Sequence, residues 1–297
     1  MKKYVILGAT GHTGKPVAIG LLAQKNAVRV VTRDASRAAD LAAMGAEVIV
    51  GESNDAALLK KAFAGYDAAY LLIPALYTST DFSAAQAAYT KAFVEALKGS
   101  SIRHVVTLSS VGAHLPQGAG VVQGLQHMET KLNELSGINI LHLRASYFLE
   151  NSLGMAGMVK HMGIMGSPLR GDVKMPMVAT SDIATVALSQ LTELNFTGKQ
   201  HKYVLGARDY TYNEIAAIYG TAIGKPDLKY VQFSYEDAQK GMTGAGMSES
   251  TAIRMNEFVK AAKEGRVLED VQRDASNTTP LTAEQFAQVF KSVYENS

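Results

Sequence analysis

The feature that most constrains this chain is a glycine-rich turn at its first strand-to-helix junction. The short apolar run Tyr4–Leu7 leads straight into Gly8-Ala9-Thr10-Gly11-His12-Thr13-Gly14, and a helical pattern, Lys15–Ala23, follows at once. The spacing is G-x-x-G-x-x-G. A turn this tight needs residues without a Cβ penalty. Bare backbone also lets a pyrophosphate approach, and the following helix offers unpaired N–H groups and the positive end of its dipole. Gly14 would let that helix pack close to the strand. A glycine triplet alone could be a turn with no ligand; its place at the start of a strand–helix series is the context a dinucleotide site requires.

That series is legible. Strands are expected at Val28–Thr32, Glu47–Val50, Ala68–Pro74, His104–Ser109 and Ile138–Leu143. Helices are expected at Ser36–Met44, Asn54–Ala64 with Ser53 or Asn54 as the cap, Phe82–Lys98 and Gln126–Leu135. Strands separated by helices of this length call for right-handed crossovers and a parallel sheet. Several strands are apolar almost throughout, as strands covered on both faces should be. The fold class expected is α/β, a doubly wound parallel sheet over residues 1–150. Residues 151–297 change character. Gly154–Gly171 is rich in Gly and Met, followed by a helix at Asp182–Leu191, a short strand at Tyr203–Leu205, and helices at Tyr212–Ile223, Asp237–Lys263 and Thr282–Val293. The expectation is a smaller α/β lobe packed on the first. Its Gly/Met segment could be a lid over a flat aromatic substrate or a loop with core-packing methionines.

Composition excludes several classes. There is no cysteine, so disulfides, a thiolate nucleophile and a Cys-ligated metal are impossible. Net charge is +2 from 29 basic and 27 acidic residues, which gives no global pull towards nucleic acid or an anionic membrane. The histidines show no metal-ligand spacing, so no metal is expected. Gly8–Gly14 interrupts the N-terminal apolar run short of a signal peptide, and no apolar run is long enough to span a bilayer. The expectation is a cytoplasmic protein.

The end of the second expected strand bears on the cofactor. It reads Val30-Val31-Thr32-Arg33-Asp34. An NAD-preferring site places an acidic residue there for the ribose 2′-hydroxyl; Arg33 suits a 2′-phosphate, with Arg37 one turn on. NADP(H) is the expected preference. In the alternative, Arg33 is a solvated charge and Asp34 holds the ribose.

With these motifs the chain resembles the NmrA-like family of atypical short-chain dehydrogenases. Besides the glycine pattern and Thr32-Arg33-Asp34, the likeness rests on Leu71-Leu72-Ile73-Pro74, Leu108-Ser109-Ser110 and Leu141–Asn151. The last is similar to the family's LRP-x-x-F-x-E-N stretch, with Ala145 for the proline. Val178–Ala184, Tyr212–Ala216 and Ile223–Pro226 extend it, so that most of residues 1–235 is covered. The resemblance implies a Rossmann-like lobe in which Gly8, Thr10, Gly11, His12, Thr13, Gly14, Arg33, Leu72, Ile73, Pro74, Ser109 and Tyr147 surround NADP(H). It implies one of two activities. One is a reductase passing hydride to a quinone-like or conjugated acceptor. The other is a non-catalytic redox sensor that acts on a protein partner.

Ordinary short-chain dehydrogenases move a proton through Tyr-x-x-x-Lys. No tyrosine lies between Val111 and Ser146; the next is Tyr147, and the position four beyond it is Asn151. Gln126–Lys131 stands in the motif's place, with His127 and Lys131 one turn apart. His127 is similar to a histidine of reductase-like members and is the candidate donor to a quinone oxygen; alternatively His127 and Glu129 only cap and solvate the helix.

Overall fold

The computed structural model describes residues 1–297. The expected series folds as β1 (Lys3–Leu7), α1 (Gly14–Ala23), β2 (Ala27–Thr32), α2 (Ala39–Ala43, entered through a 3₁₀ turn), β3 (Glu47–Val50), α3 (Ala56–Phe63), β4 (Ala68–Leu71), α4 (Phe82–Leu97), β5 (His104–Ser110), α5 (Gln123–Asn133) and β6 (Asn139–Ala145). The cap of α3 is neither Ser53 nor Asn54. Asp55 takes that place, its Oδ1 accepting from the amides of Ala57 at 2.8 Å and Leu58 at 3.2 Å, so the helix starts later than expected. The fourth strand likewise stops at Leu71, leaving Leu72, Ile73 and Pro74 in the loop beyond it.

The second half continues as β7 (Tyr147–Phe148), α6 (Ala156–Met162), β8 (Ile164–Ser167), β9 (Met175–Val178), α7 (Thr180–Glu193), β10 (Lys199–Val204), β11 (Asp209–Tyr210), α8 (Tyr212–Ala222), β12 (Lys229–Gln232), α9 (Tyr235–Gly244), α10 (Glu249–Lys263) and α11 (Ala283–Glu295).

One sheet of seven strands runs β10-β6-β5-β4-β1-β2-β3, and all of its pairings are parallel. Alternation along β1 divides the core. Tyr4 and Ile6 face α1, α2 and α7; Val5 and Leu7 face α3, α4 and α5. The strand order reverses between β1 and β4, which opens a crevice at the carboxyl ends of these strands.

The expected boundary at residue 150 does not coincide with the end of this sheet. The short strand expected at Tyr203–Leu205 is β10, the sheet's seventh strand, and α7 covers one face of the sheet. The segment Lys199-Gln200-His201-Lys202 hides its membership behind polar residues, as an edge strand facing water on its open side can.

The remaining elements form the smaller lobe, around β11-β9-β7, the β8–β12 pair and the helices α8, α10 and α11. Its core includes Ala113, Leu115, Ala119 and Val122 from the β5–α5 loop, so the two lobes share that loop. The Gly/Met segment is ordered into α6 and β8. Met165 is buried within it and Met162 points outward at 64% exposure.

Candidate functional site

The glycines of the first turn differ in what they are for. Gly8 has φ +64°, and a Cβ there would lie 2.7 Å from a Leu72 side-chain carbon. A Cβ on Gly14 would stand 2.4 Å from the Gly8 carbonyl oxygen and 2.9 Å from that of Leu7. Gly8 is therefore demanded by its left-handed backbone and by Leu72 against it, and Gly14 by the packing of α1 on the end of β1. Gly11 is exposed, has no positive φ, and a Cβ on it would meet only the Gly8 oxygen, at 3.3 Å. The fold alone would nearly tolerate alanine there. Its bare backbone instead keeps open the space in front of the helix.

That space is lined by unclaimed donors. The Gly11 amide closes the turn onto the Gly8 carbonyl at 2.9 Å, whereas the amides of Thr10, His12 and Thr13 have no acceptor in the protein. Thr13 is the N-cap of α1, yet its side chain caps nothing. The Lys15 amide already donates to the Gly11 carbonyl at 3.2 Å and Pro16 has no N–H, so the Thr13 hydroxyl has nothing to cap; its Oγ1 accepts instead from the buried Tyr70 hydroxyl at 3.2 Å. A helix start with open amides, an idle cap and a cradle that a Cβ would fill has the chemistry of a pyrophosphate site. A dinucleotide fits these residues.

At the end of β2, Arg33 is exposed and makes neither an ion pair nor a hydrogen bond within the chain. Asp34 is already engaged. Its Oδ1 accepts from the Ser36 amide at 2.9 Å and from the Ser36 hydroxyl at 2.7 Å, and these bonds hold its carboxyl below the usual carboxylate range. Of the two candidates for the adenosine ribose, the cation is free and the carboxylate is occupied as a cap.

The loop after β4 borders the crevice. Leu72 lies against Gly8, and Ile73 and Pro74 follow half-buried. The next residues are held from an unexpected direction. The Ser248 amide donates to the Tyr77 carbonyl at 2.8 Å and its hydroxyl to the Ser79 carbonyl at 2.5 Å. Thr251 Oγ1 donates to the Leu76 carbonyl at 3.2 Å. The start of α10 thus fastens the loop between β4 and α4, a task for which the local sequence of residues 248–251 carries no signal beyond a Ser cap.

Ser109, expected beside the cofactor, is 2% exposed, and its hydroxyl donates to Glu129 Oε1 at 2.5 Å. Glu129 does not solvate α5. It is buried and paired with Arg144, whose Nη2 lies 2.7 Å from Oε2. Arg144 Nη1 also reaches the Tyr203 hydroxyl at 3.1 Å and Asp270 at 3.3 Å, and Asp270 Oδ1 stands 2.9 Å from His114 Nδ1. Burial, with Asp270 beside it, pushes the Tyr203 phenol up to about 12. These groups tie β5, α5, β6, β10 and the tail together beneath the sheet's carboxyl edge.

His127 lies on the exposed side of α5, next to the buried Met128 and Glu129, and no hydrogen bond holds its ring. Tyr147 sits two residues past the end of β6, half-buried against the smaller lobe, and Tyr77 of the β4–α4 loop is close enough to perturb its ionisation. The structure therefore gathers Gly8, Thr10, Gly11, His12, Thr13, Gly14 and Leu72 around one space. It puts Arg33 at the neighbouring strand end and Tyr147 across the crevice. It bonds the Ser109 hydroxyl to the buried Glu129.

No helix is long and apolar enough to cross a membrane. The profile of the NmrA-like family matches residues 1–288. An NAD(P)H azoreductase from Xenophilus azovorans is 28% identical over 258 residues, 87% of this chain and 86% of that protein. Among solved structures, an NADPH-dependent quinone oxidoreductase from Escherichia coli superposes with a TM-score of 0.79 at 21% identity, covering 96% of this chain and 98% of that one. NmrA, a negative transcriptional regulator in complex with NADP, superposes with a TM-score of 0.66 at 14% identity, covering 99% and 94%. Reductases and a regulator share this fold, so the fold alone does not separate them.

Proposed function

The chain belongs to the NmrA-like family, and from that premise we propose that it is an NADPH-dependent oxidoreductase reducing a quinone-like or conjugated acceptor. The observation that carries the dinucleotide is the cradle at Gly11, where packing does not require glycine and the amides of Thr10, His12 and Thr13 stand open. The relatives named as an azoreductase and a quinone oxidoreductase support the acceptor class.

The bound dinucleotide supplies the hydride, which passes directly to the substrate. The protein's part is to hold and orient. Open amides at the start of α1 take the pyrophosphate, and Arg33 takes the 2′-phosphate, giving the preference for NADPH. Leu72, Ile73 and Pro74 wall the crevice beside the turn. Residues of the smaller lobe, Tyr147 among them, close it opposite and receive a flat substrate.

The deciding experiment is steady-state NADPH oxidation across a panel of quinones and azo dyes, with dinucleotide binding measured in parallel. Turnover with a conjugated acceptor and none with simple secondary alcohols is the expected result, since the chain lacks Tyr-x-x-x-Lys. Tight dinucleotide binding with no oxidation by any acceptor would overturn the reductase and return the sensor acting through a protein partner, in line with the NADP-bound regulator of the same fold.

A further inference from the structure

Three phenols from three segments of the smaller lobe meet beside the crevice. Tyr212, the first residue of α8, stacks on Tyr230 of β12 with ring centroids 4.8 Å apart and planes at 14°. It meets Tyr147 edge-on at 6.1 Å and 79°. Tyr230 is anchored: its hydroxyl lies 2.5 Å from Ser167 Oγ and donates to the Leu169 carbonyl at 2.8 Å. Tyr212 is not anchored in that way. Its hydroxyl is shut off from solvent and makes no well-formed hydrogen bond. A buried hydroxyl left so is costly and calls for an explanation.

Its neighbour is Tyr147, whose ring meets it edge-on, and after burial the nearness of that phenol helps hold Tyr212 above its ordinary value. Asn151 lies beside Tyr147, close enough to ease the ionisation of its phenol. Asn151 is exposed and Tyr147 only half-buried, so this end of the cluster opens on the crevice. Of the three hydroxyls, that of Tyr230 is bonded within the chain and that of Tyr212 is sealed in; the Tyr147 hydroxyl is neither, so its proton is left for a partner outside the cluster. Burial raises the Tyr147 phenol above its ordinary value, so it keeps that proton at neutral pH. Asn151 follows Tyr147 by four positions, the interval at which lysine follows tyrosine in Tyr-x-x-x-Lys. A lysine there would favour a phenolate; a neutral amide leaves a phenol.

The geometry points to Tyr147 as the hydrogen-bond donor to the carbonyl oxygen of a conjugated acceptor, with Asn151 and Tyr212 as its positioning residues. This rests on the reductase reading. The acceptor gains a hydride from the reduced dinucleotide and forms a new C–H bond. The conjugated double bonds shift, and the displaced electron pair comes to rest on the far carbonyl oxygen. Tyr147 donates its hydrogen bond to that oxygen as charge builds; water then protonates the oxygen, and the ring carbon that took the hydride gives up a proton as the remaining carbonyl oxygen gains one, which leaves the hydroquinone. The dinucleotide leaves oxidised, and Tyr147 ends as it began. A donor set where charge develops acts on the transition state more than on the bound ground state.

The test uses the full chain and a series of 1,4-benzoquinones and 1,4-naphthoquinones of graded electron demand. Tyr147→Phe should lower kcat/KM on the order of 10²-fold, the lower end for assistance of this kind. NADPH affinity, titrated without acceptor, should stay within about twofold. Binding of 1,4-naphthoquinone to the NADP⁺-saturated protein should weaken roughly threefold to tenfold, one hydrogen bond's worth. Electron-rich quinones should lose more rate than electron-poor ones, which need less help; a merely structural defect would lower all alike. Tyr212→Phe and Asn151→Leu should steepen the same dependence with smaller losses, while Tyr212→Phe melts no lower than the parent. Full turnover in Tyr147→Phe, an equal loss across the series, or a selective loss in His127→Ala instead would overturn the assignment of Tyr147 alone. No turnover by the parent with any acceptor would overturn the reductase reading and this assignment with it.

Discussion

Replacing Gly11 and Gly14 one at a time separates what the first turn does for the fold from what it does for the ligand. At Gly11 an added Cβ meets one atom, the Gly8 carbonyl oxygen at 3.3 Å, and the backbone is one that alanine can adopt. The small clash is offset by the lower unfolded-state entropy of alanine, worth about 0.4–1 kcal/mol. The net change should lie within about 1 kcal/mol, or a melting shift of no more than roughly 2–4 °C for a chain of this order of size. The same methyl stands in the cradle a phosphate would enter. Losing one charge-assisted amide–phosphate contact costs about 1.5–3 kcal/mol, so NADPH should bind roughly tenfold to a hundredfold more weakly. At Gly14 the balance inverts. A Cβ 2.4 Å from the Gly8 oxygen and 2.6 Å from its carbon must push α1 off β1. Overpacking of this kind costs about 1–3 kcal/mol or more, before any ligand is added. Nucleotide-free thermal melting and calorimetric titration with NADPH, applied to Gly11→Ala and Gly14→Ala, read the two effects apart. Undiminished NADPH affinity in a well-folded Gly11→Ala would remove the turn from the binding site. Equal loss of stability in both variants would refute the packing argument.

Arg33→Ala should weaken NADPH by at least about tenfold and leave NADH nearly unchanged, because only the 2′-phosphate contact is charge-assisted; parent protein that prefers NADH would make Asp34 the ribose ligand. Arg144→Met strands Glu129 in a buried site and should cost about 3–5 kcal/mol in urea unfolding, the range for breaking one side of a buried pair; a loss under 1 kcal/mol would refute a structural role for the pair. His142 is 1% exposed, bonded through Nδ1 to Thr107 and Nε2 to Asn133, and burial pulls its pKa down to about 4. The unfolded chain takes up that proton near 6.5 and the fold only near 4, so stability is whole above about pH 6.5 and falls, by roughly 3 kcal/mol, as pH drops to 4. A pH series of unfolding curves should show that slope flattened in His142→Gln. Ser248→Ala removes both the cap of α10 and the bond to Ser79, and amide exchange at residues 76–80 should quicken; unchanged exchange would mean the loop is held by packing.

Local patterning was enough to define the first six strands of the sheet and the helices between them. Apolar runs alternating with helical periodicity, broken by glycine after β1, dictate parallel strands and a switch point, because both follow from short-range sterics and from burying one face of each helix. The turn itself was legible for the same reason: Gly8, Gly11 and Gly14 lie within seven residues. Three things were decided only when distant segments met. One was the last strand of the sheet, whose polar residues Lys199–Lys202 look like loop until β6 pairs with them. Another was the setting of Glu129, which Arg144, fifteen residues on, holds in a buried pair and to which Ser109 donates. The third was the grouping of Tyr147, Tyr212 and Tyr230, separated by up to 83 positions and joined by the packing of α8 and β12 against β7. Periodicity records which face of an element is buried. It does not record what that face is buried against, and that is where the charges and hydroxyls of this crevice find their partners.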